Sequence, residues 1–373
     1  MTWLRDPLGI LGALAGLASL AFPVGLNGTS PVYWLSDEHA ATSVILALVV
    51  LVYGIVRDAG KIQDGVRSAF GAMAGAIAPL TLLQSGAELG TSAPGLWLFV
   101  VALGCLTWRA LQTLAAARGP RWIATLAVPG LFGLWVLYLW QVLVQGFDVP
   151  SVLLPSPARI ASVFVINIPL LWDDFQQTFL KSVLAGFTLG SGAGFITAVL
   201  VDRSPFLQRG LLPLGSLVSA IPIVGIAPIM VMWFGFDWQS KAAVIVVMTF
   251  FPMLINTLAG LSSTGHIEND LMRSYAASYG QTLRKLRLPS ALPFVFNALK
   301  INSTLALIGG IVAEFFGTPV VGMGFRISVE IGRMNVDMVW ATIAVAALAG
   351  SAFYGILALM ERGLTFWHPS YRQ

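Results

Sequence analysis

The chain is poor in charge. Only 10% of its 373 residues are Asp, Glu, Lys or Arg, against about a quarter in soluble globular domains. That shortage excludes a water-soluble fold of ordinary composition. A single cysteine, Cys105, lies inside an apolar run, so no internal disulfide can form and a redox pair is not indicated. The three histidines, His39, His266 and His368, are scattered without metal-ligand spacing. No GxxxxGKS/T phosphate loop is present; the nearest glycine-rich string, GAELGTS, has no lysine to reach a phosphate. No neighbourhood supplies a nucleophile with its base. The chain is therefore not expected to be an enzyme or to hold a metal or cofactor, and any motor for transport is another polypeptide or an ion gradient.

What is abundant is apolar sequence. Hydrophobic residues make up 57% of the chain, and the mean hydropathy is +0.82. The 20 prolines and 38 glycines are ordinary for packed transmembrane helices. The reading is an all-α, polytopic membrane protein. Runs of roughly 20 apolar residues give about ten spans: 7–26, 40–56, 68–83, 96–114, 123–144, 178–200, 213–234, 242–261, 293–316 and 338–360. The third and fourth are short or broken by polar residues. Arg5 ahead of the first run invites a signal-peptide reading, but the apolar stretch is long for one, and it is read as a retained span.

Lysine and arginine fix the expected orientation. With the amino terminus inside, sixteen of the 21 basic residues fall on the inner side, among them Arg5, Arg57, Lys61, Arg118, Arg121 and Arg372, and five outside. Both termini are then cytoplasmic. The net charge of +4 is read as this placement and not as a nucleic-acid surface. The proline-rich outer stretch VPSVLLPSPARI predicts extended chain before a short amphipathic helix near Arg159–Phe164. Tryptophans near span ends, including Trp34, Trp97, Trp122 and Trp233, read as interfacial anchors. No internal repeat is visible.

The longest water-compatible stretch is DLMRSYAASYGQTLRKLRLPSALP, 270–293. It is basic (Arg273, Arg284, Lys285, Arg287) yet carries Leu271, Met272, Tyr275, Ala276 and Tyr279 at helical spacing. Gly265 is expected to end the preceding span, Asn269 or Asp270 to cap a short helix, Gly280 to break it, and Pro289 to interrupt a second, basic helix. Such a loop lies on anionic lipid or docks to a protein. Polar residues within spans are candidates for a solute path: Glu314, near the outer end of its span, and Asn302, Thr304, Thr249 and Asn256. Interhelical hydrogen bonding explains them equally well.

The loop resembles the cytoplasmic loop of ATP-binding-cassette importer permeases, written E-A-A, three residues, G, nine residues, I-x-L-P. Anchored on Leu288 and Pro289, the register sets Asp270 at the acid, Leu271 and Met272 at the alanines, Ala276 at the glycine and Leu286 at the isoleucine. LLPSPARI, WFGFDWQSK, FFPMLINTLAG, LPSALPFVFNALKI and GGIVAEFFG followed by GMGF are similar, in matching order, to the nitrate/sulfonate/taurine type. The resemblance implies a type I permease core of about six helices over 121–373, with a coupling loop at 262–292, after a four-span extension over 1–120. It also implies a pair of cytoplasmic ATPase subunits holding ATP and Mg, a second permease copy or paralogue, an external solute-binding protein and a bacterial inner-membrane location. Solutes in that group run from nitrate and sulfonates to pyrimidines and riboflavin; low charge along the path favours an uncharged or aromatic one. The competing reading is a secondary carrier or channel, which would place several ionisable residues at mid-membrane.

Overall fold

The computed structural model describes residues 7–27, 30–36, 38–56, 62–84, 89–116, 123–204, 206–211, 213, 221–317 and 320–367. Arg5, Arg57, Lys61, Arg118, Arg121, Trp122, His368 and Arg372 lie outside these, as do residues 214–220 at the start of the expected seventh span. The chain forms two compact units, Met1–Arg159 and Ile160–Gln373.

The first unit holds α1 (Pro7–Ala21), a small antiparallel pair β1 (Gly25–Asn27) and β2 (Ser30–Val32), α2 (Glu38–Val56), α3 (Ile62–Gln84), α4 (Pro94–Ala116) and α5 (Val128–Gly146). The expected first span, 7–26, ends early: the helix stops at Ala21, two residues before Pro23, and Leu26 pairs with Pro31 in the hairpin. The third and fourth spans, read as short, are 23-residue helices. Apolar side chains of α2, α3 and α4 close on Phe99, Leu96 and Val44, all wholly buried. Trp34 belongs to that core and is no interfacial anchor: it is 1% exposed and its ring lies 5.1 Å from that of Phe99. The resemblance draws its boundary at 120/121; the compact unit runs on to Arg159 and includes α5, which packs on α3 and α4.

Helix α6 (Pro157–Ile166) spans the boundary in sequence between the units, and the stretch before it, expected to be extended, turns at Pro150, whose carbonyl accepts from Leu153 N at 2.8 Å. The second unit continues with α7 (Ile168–Phe175), a π-helical stretch (Gln176–Val183) and α8 (Leu184–Val201), together one 34-residue apolar helix. Next come α9 (Ile223–Phe234), α10 (Trp238–Leu261), α11 (His266–Ser274), α12 (Tyr279–Thr282), α13 (Leu288–Glu314), α14 (Met323–Gly332) and α15 (Val336–Leu364). Helix α10 is the centre of this unit, with α8 and α13 on its flanks. The α8–α10 contact is set by GFTLGSGAG, in which Gly186, Gly190 and Gly194 recur every fourth residue and form one small-residue stripe. A Cβ at Gly190 would meet Thr249 Oγ1 and the Val246 backbone, so only glycine allows this approach.

Seven helices are long and apolar enough to cross a bilayer, by length and composition. The other three expected spans are shorter among the described residues: α1, α2 and α9. At 15 residues α1 reaches about 23 Å, less than the roughly 30 Å hydrocarbon core.

Candidate functional site

The loop that follows α10 is built by local hydrogen bonding. Helix α10 stops at Leu261, and Ser262 Oγ bonds back to Leu258 O at 2.9 Å. Gly265 does not end that span. It is the N-cap of α11, which starts at His266, earlier than the expected cap at Asn269 or Asp270. Asn269 instead works from inside the helix, its Nδ2 donating to Gly265 O (2.8 Å) and Thr264 Oγ1 (3.0 Å).

The reversal after α11 is at Ala276, not Gly280. Ala276 has φ +52°, its N–H bonds to Arg273 O (2.9 Å), and Ala277 N–H reaches Met272 O (3.0 Å). This is a Schellman closure with alanine at the left-handed position that glycine favours. The ungapped register had put Ala276 at the pattern's glycine, and the backbone has the left-handed turn at that residue. Gly280 lies within α12, whose start is fixed by a reciprocal capping box between Ser278 and Gln281. Pro289 does not interrupt the helix either. A π turn over Leu283–Arg287, which carries Arg284, Lys285 and Leu286, lies just before it, and this wider turn accommodates the ring and the missing N–H of Pro289 as the helix runs on into α13. Residues 279–314 are thus one helix of 36 residues, about 54 Å long.

No residue of α11 is buried. Its outward stripe is Ile267, Leu271 and Tyr275, at 84%, 56% and 79% exposure. Met272 is half-buried, and Arg273 pairs with Asp270 at 3.3 Å in the open. Tyr279 is not on the outward stripe. Its hydroxyl donates to Asp202 Oδ2 at 2.7 Å, and the Arg203 guanidinium sits 4.1 Å above its ring. Asp202, directly after α8, also receives Arg287 in a two-pronged pair: Nη1 to Oδ2 at 2.6 Å and Nη2 to Oδ1 at 2.8 Å. Arg287 Nε donates to Leu261 O at 2.9 Å. One guanidinium therefore ties the ends of α8 and α10 to the base of α13. Asp202, Arg203 and Ile267 were missed from sequence; Arg287 is 85 residues from Asp202, and no local pattern marks that pairing.

The polar residues within spans fall into separate places. Glu314, 2% exposed, accepts from Thr178 Oγ1 and from Gly324 N, each at 2.7 Å. Thr178 Oγ1 accepts from Met323 N (2.7 Å), and Asp174 accepts from Gly322 N (2.8 Å) and Arg326 Nε (2.8 Å). The carboxylate of Glu314 thus caps α14. Gly322, at φ +144°, and Gly324 leave it room, since a Cβ on either would strike it or Ile311 O. Nearby, Asp237 accepts from Gln177 Nε2 (2.9 Å) and Trp238 N (2.8 Å); those two bonds hold its carboxyl below the usual carboxylate range. Asn302 and Thr249 do meet: Asn302 Nδ2 donates to Thr249 O (2.8 Å) and Ser191 Oγ (2.9 Å). Asn256 bonds to Pro252 O and lies apart from them, while Thr304 is exposed.

The family described as "binding-protein-dependent transport system inner membrane component" matches residues 186–366. The riboflavin transport system permease protein of Chloroflexus aurantiacus is 32% identical over 63% of this chain and 88% of its own length. The formylaminopyrimidine transport permease protein of Halalkalibacterium halodurans is 31% identical over 64% and 95%, and the taurine transport system permease protein of Escherichia coli 28% over 66% and 89%. The ordered motifs, the apolar helices and these relatives together make the chain a member of the ATP-binding-cassette importer permeases, the membrane-spanning subunit of a binding-protein-dependent importer.

Proposed function

We propose that residues 262–292 form the coupling element on which a pair of ATPase subunits acts from the cytoplasm. The observation that carries this is α11: a nine-residue helix with no buried residue that, with Tyr275 at its C-cap, spends three large apolar side chains, Ile267, Leu271 and Tyr275, on solvent. A short helix with such a stripe is stable when the stripe fills a groove on a partner, and packed side chains then pass on displacement because they compress little. Asp270 and Arg273, paired in the open on α11, would form the polar rim of that contact, with the exposed Arg284 further along the loop. ATP hydrolysis and Mg binding belong to that partner. An external solute-binding protein and a second permease copy complete the assembly, and both termini of this chain lie in the cytoplasm. The four amino-terminal spans stabilise it in lipid.

The solute is a small organic molecule, with an uncharged or aromatic ring favoured over an anion. Lys241, Arg287, Lys300 and Arg326, the half-buried or buried cations of the second unit, are engaged by Phe236 O, Asp202, Glu361 and Asp174 respectively. Three of these four thus have a carboxylate as counter-charge. The relatives named for riboflavin and formylaminopyrimidine agree with this choice.

Tyr275→Asp tests the coupling role. Burying a charge in place of an aromatic anchor costs an interface about 2 kcal/mol or more, so ATP turnover should separate from uptake, or the ATPase dissociate, while membrane insertion is unchanged. Uptake and ATPase retention at parental levels would overturn the proposal.

A further inference from the structure

We propose that Asp202 is a positioning residue for coupling: by clasping Arg287 it joins the α11 loop to the ends of α8 and α10 as one mechanical body. The inference rests on the reading of 262–292 as the coupling element, and deepens it by naming how displacement leaves the loop.

The Asp202 side chain is 3% exposed and that of Arg287 19%, so the pair is withdrawn from water at the foot of the helices. All four polar bonds converge on two residues. Asp202 holds both terminal nitrogens of Arg287 and the Tyr279 hydroxyl; Arg287 adds the Leu261 carbonyl. Arg203 closes over the Tyr279 ring on the other side. The fork geometry of guanidinium on carboxylate fixes orientation as well as distance, which a lone lysine would not do.

The link to α11 is short and itself ordered. Residues 275–278 contain the Schellman closure and the Ser278 cap, so α11 cannot swing far without dragging Tyr279. A push on Ile267, Leu271 or Tyr275 is therefore delivered through Tyr279 and Arg287 to Asp202, which terminates α8. Helix α8 is also the one whose glycine stripe packs closely on α10. The pair adds little to net stability when weighed against an apolar substitute; its effect lies in register.

The test uses the full complex with its ATPase, in a Cys105→Ala background. Spin labels are placed at Ser274→Cys on α11 and Ile196→Cys on α8, the latter site 59% exposed. The interspin distance is measured without nucleotide and after vanadate trapping with ATP. The parent is expected to keep one distance in both states. Asp202→Asn should shift or broaden it by about 2 Å or more, and Asp202→Glu, which keeps a carboxylate for both Arg287 and Tyr279, should return it toward the parent's. A parent distance that changes on trapping, an unaltered distance in Asp202→Asn, or a monodisperse Asp202→Glu no closer to the parent than Asp202→Asn would each overturn the proposal. Cross-linking of Tyr275→Cys to the ATPase in the same complex reports docking separately. Its failure would remove the coupling-loop reading while leaving the clamp's geometry to the spin labels.

Discussion

Ala276 gives the sharpest quantitative test of the loop. An L-residue held in the left-handed region costs about 1–2 kcal/mol, and Ala276 sits there at φ +52°. Replacing it with glycine removes that cost but frees the unfolded chain by about 0.4–1 kcal/mol. The net gain for Ala276→Gly is about 0.5–1 kcal/mol. Gly280 predicts the same sign for the opposite exchange. It lies in the first turn of α12, and a Cβ there meets nothing within 4 Å, so Gly280→Ala should gain about 0.5 kcal/mol through helix propensity. Had the chain reversed at Gly280, alanine there would destabilise and Ala276→Gly would too.

Local opening is the right quantity to read, because a membrane complex does not unfold in two states. Hydrogen exchange of the 266–282 amides in the purified complex reports it. A gain of 0.5–1 kcal/mol corresponds to roughly two- to fivefold slower exchange, concentrated on the Ala276 and Ala277 amides that donate to Arg273 O and Met272 O. Faster exchange in Ala276→Gly, or in Gly280→Ala, would refute the assignment of the turn.

Three further outcomes follow from packing. Gly190→Ala would press a methyl onto Thr249 Oγ1 and the Val246 backbone and should cost about 1–3 kcal/mol, seen as a lower thermal midpoint of the detergent-solubilised protein. Gly324→Ala would strike the Ile311 carbonyl and push α14 off the Glu314 carboxylate, with a comparable cost and faster exchange at Met323. Thr178→Val deletes both the donor to Glu314 and the acceptor of Met323 N–H, leaving buried groups short of partners at about 2–3 kcal/mol; a midpoint equal to the parent's would contradict the capping role.

What could be read from the sequence was whatever is periodic or adjacent. Apolar runs marked every helix of span size, because a lipid-facing segment must satisfy its own backbone groups and be apolar throughout. The spacing to Leu288 and Pro289 matched Ala276 to the pattern's glycine, but the break was expected at Gly280; an alanine in the left-handed region carries no signal of its own, and only the backbone places the turn at Ala276. Boundaries failed where local chemistry competes. Gly265 can close one helix or open the next, and the choice was made by Ser262 bonding back to Leu258. Pro289 reads as a breaker, but a π turn upstream absorbs it. Tyr279 fits the outward stripe by spacing, and only the presence of Asp202 turns it inward. The pairings that matter most join residues 85, 136 and 152 positions apart, and one sequence carries no signal at such separations.

Those long-range pairs also divide the second unit mechanically. At one end, Asp174, Thr178, Glu314 and Arg326 bind α7, the π stretch, α13 and α14 through charged or charge-assisted bonds. At the other, Asp202, Tyr279 and Arg287 do the same for α8, α10 and α12, and Lys300 with Glu361 joins α13 to α15. Between them α8 meets α10 through Gly186, Gly190 and Gly194, a smooth contact held by dispersion and by Asn302 bonding to Ser191 and Thr249 O. Directional bonds fix orientation as well as distance, and at this contact they come from Asn302. The glycine stripe therefore joins two helices already held in register at the loop end by Asp202 and Leu261 O on the one guanidinium of Arg287, so under the proposed coupling role a displacement of the loop would reach α8, α10 and α13 together.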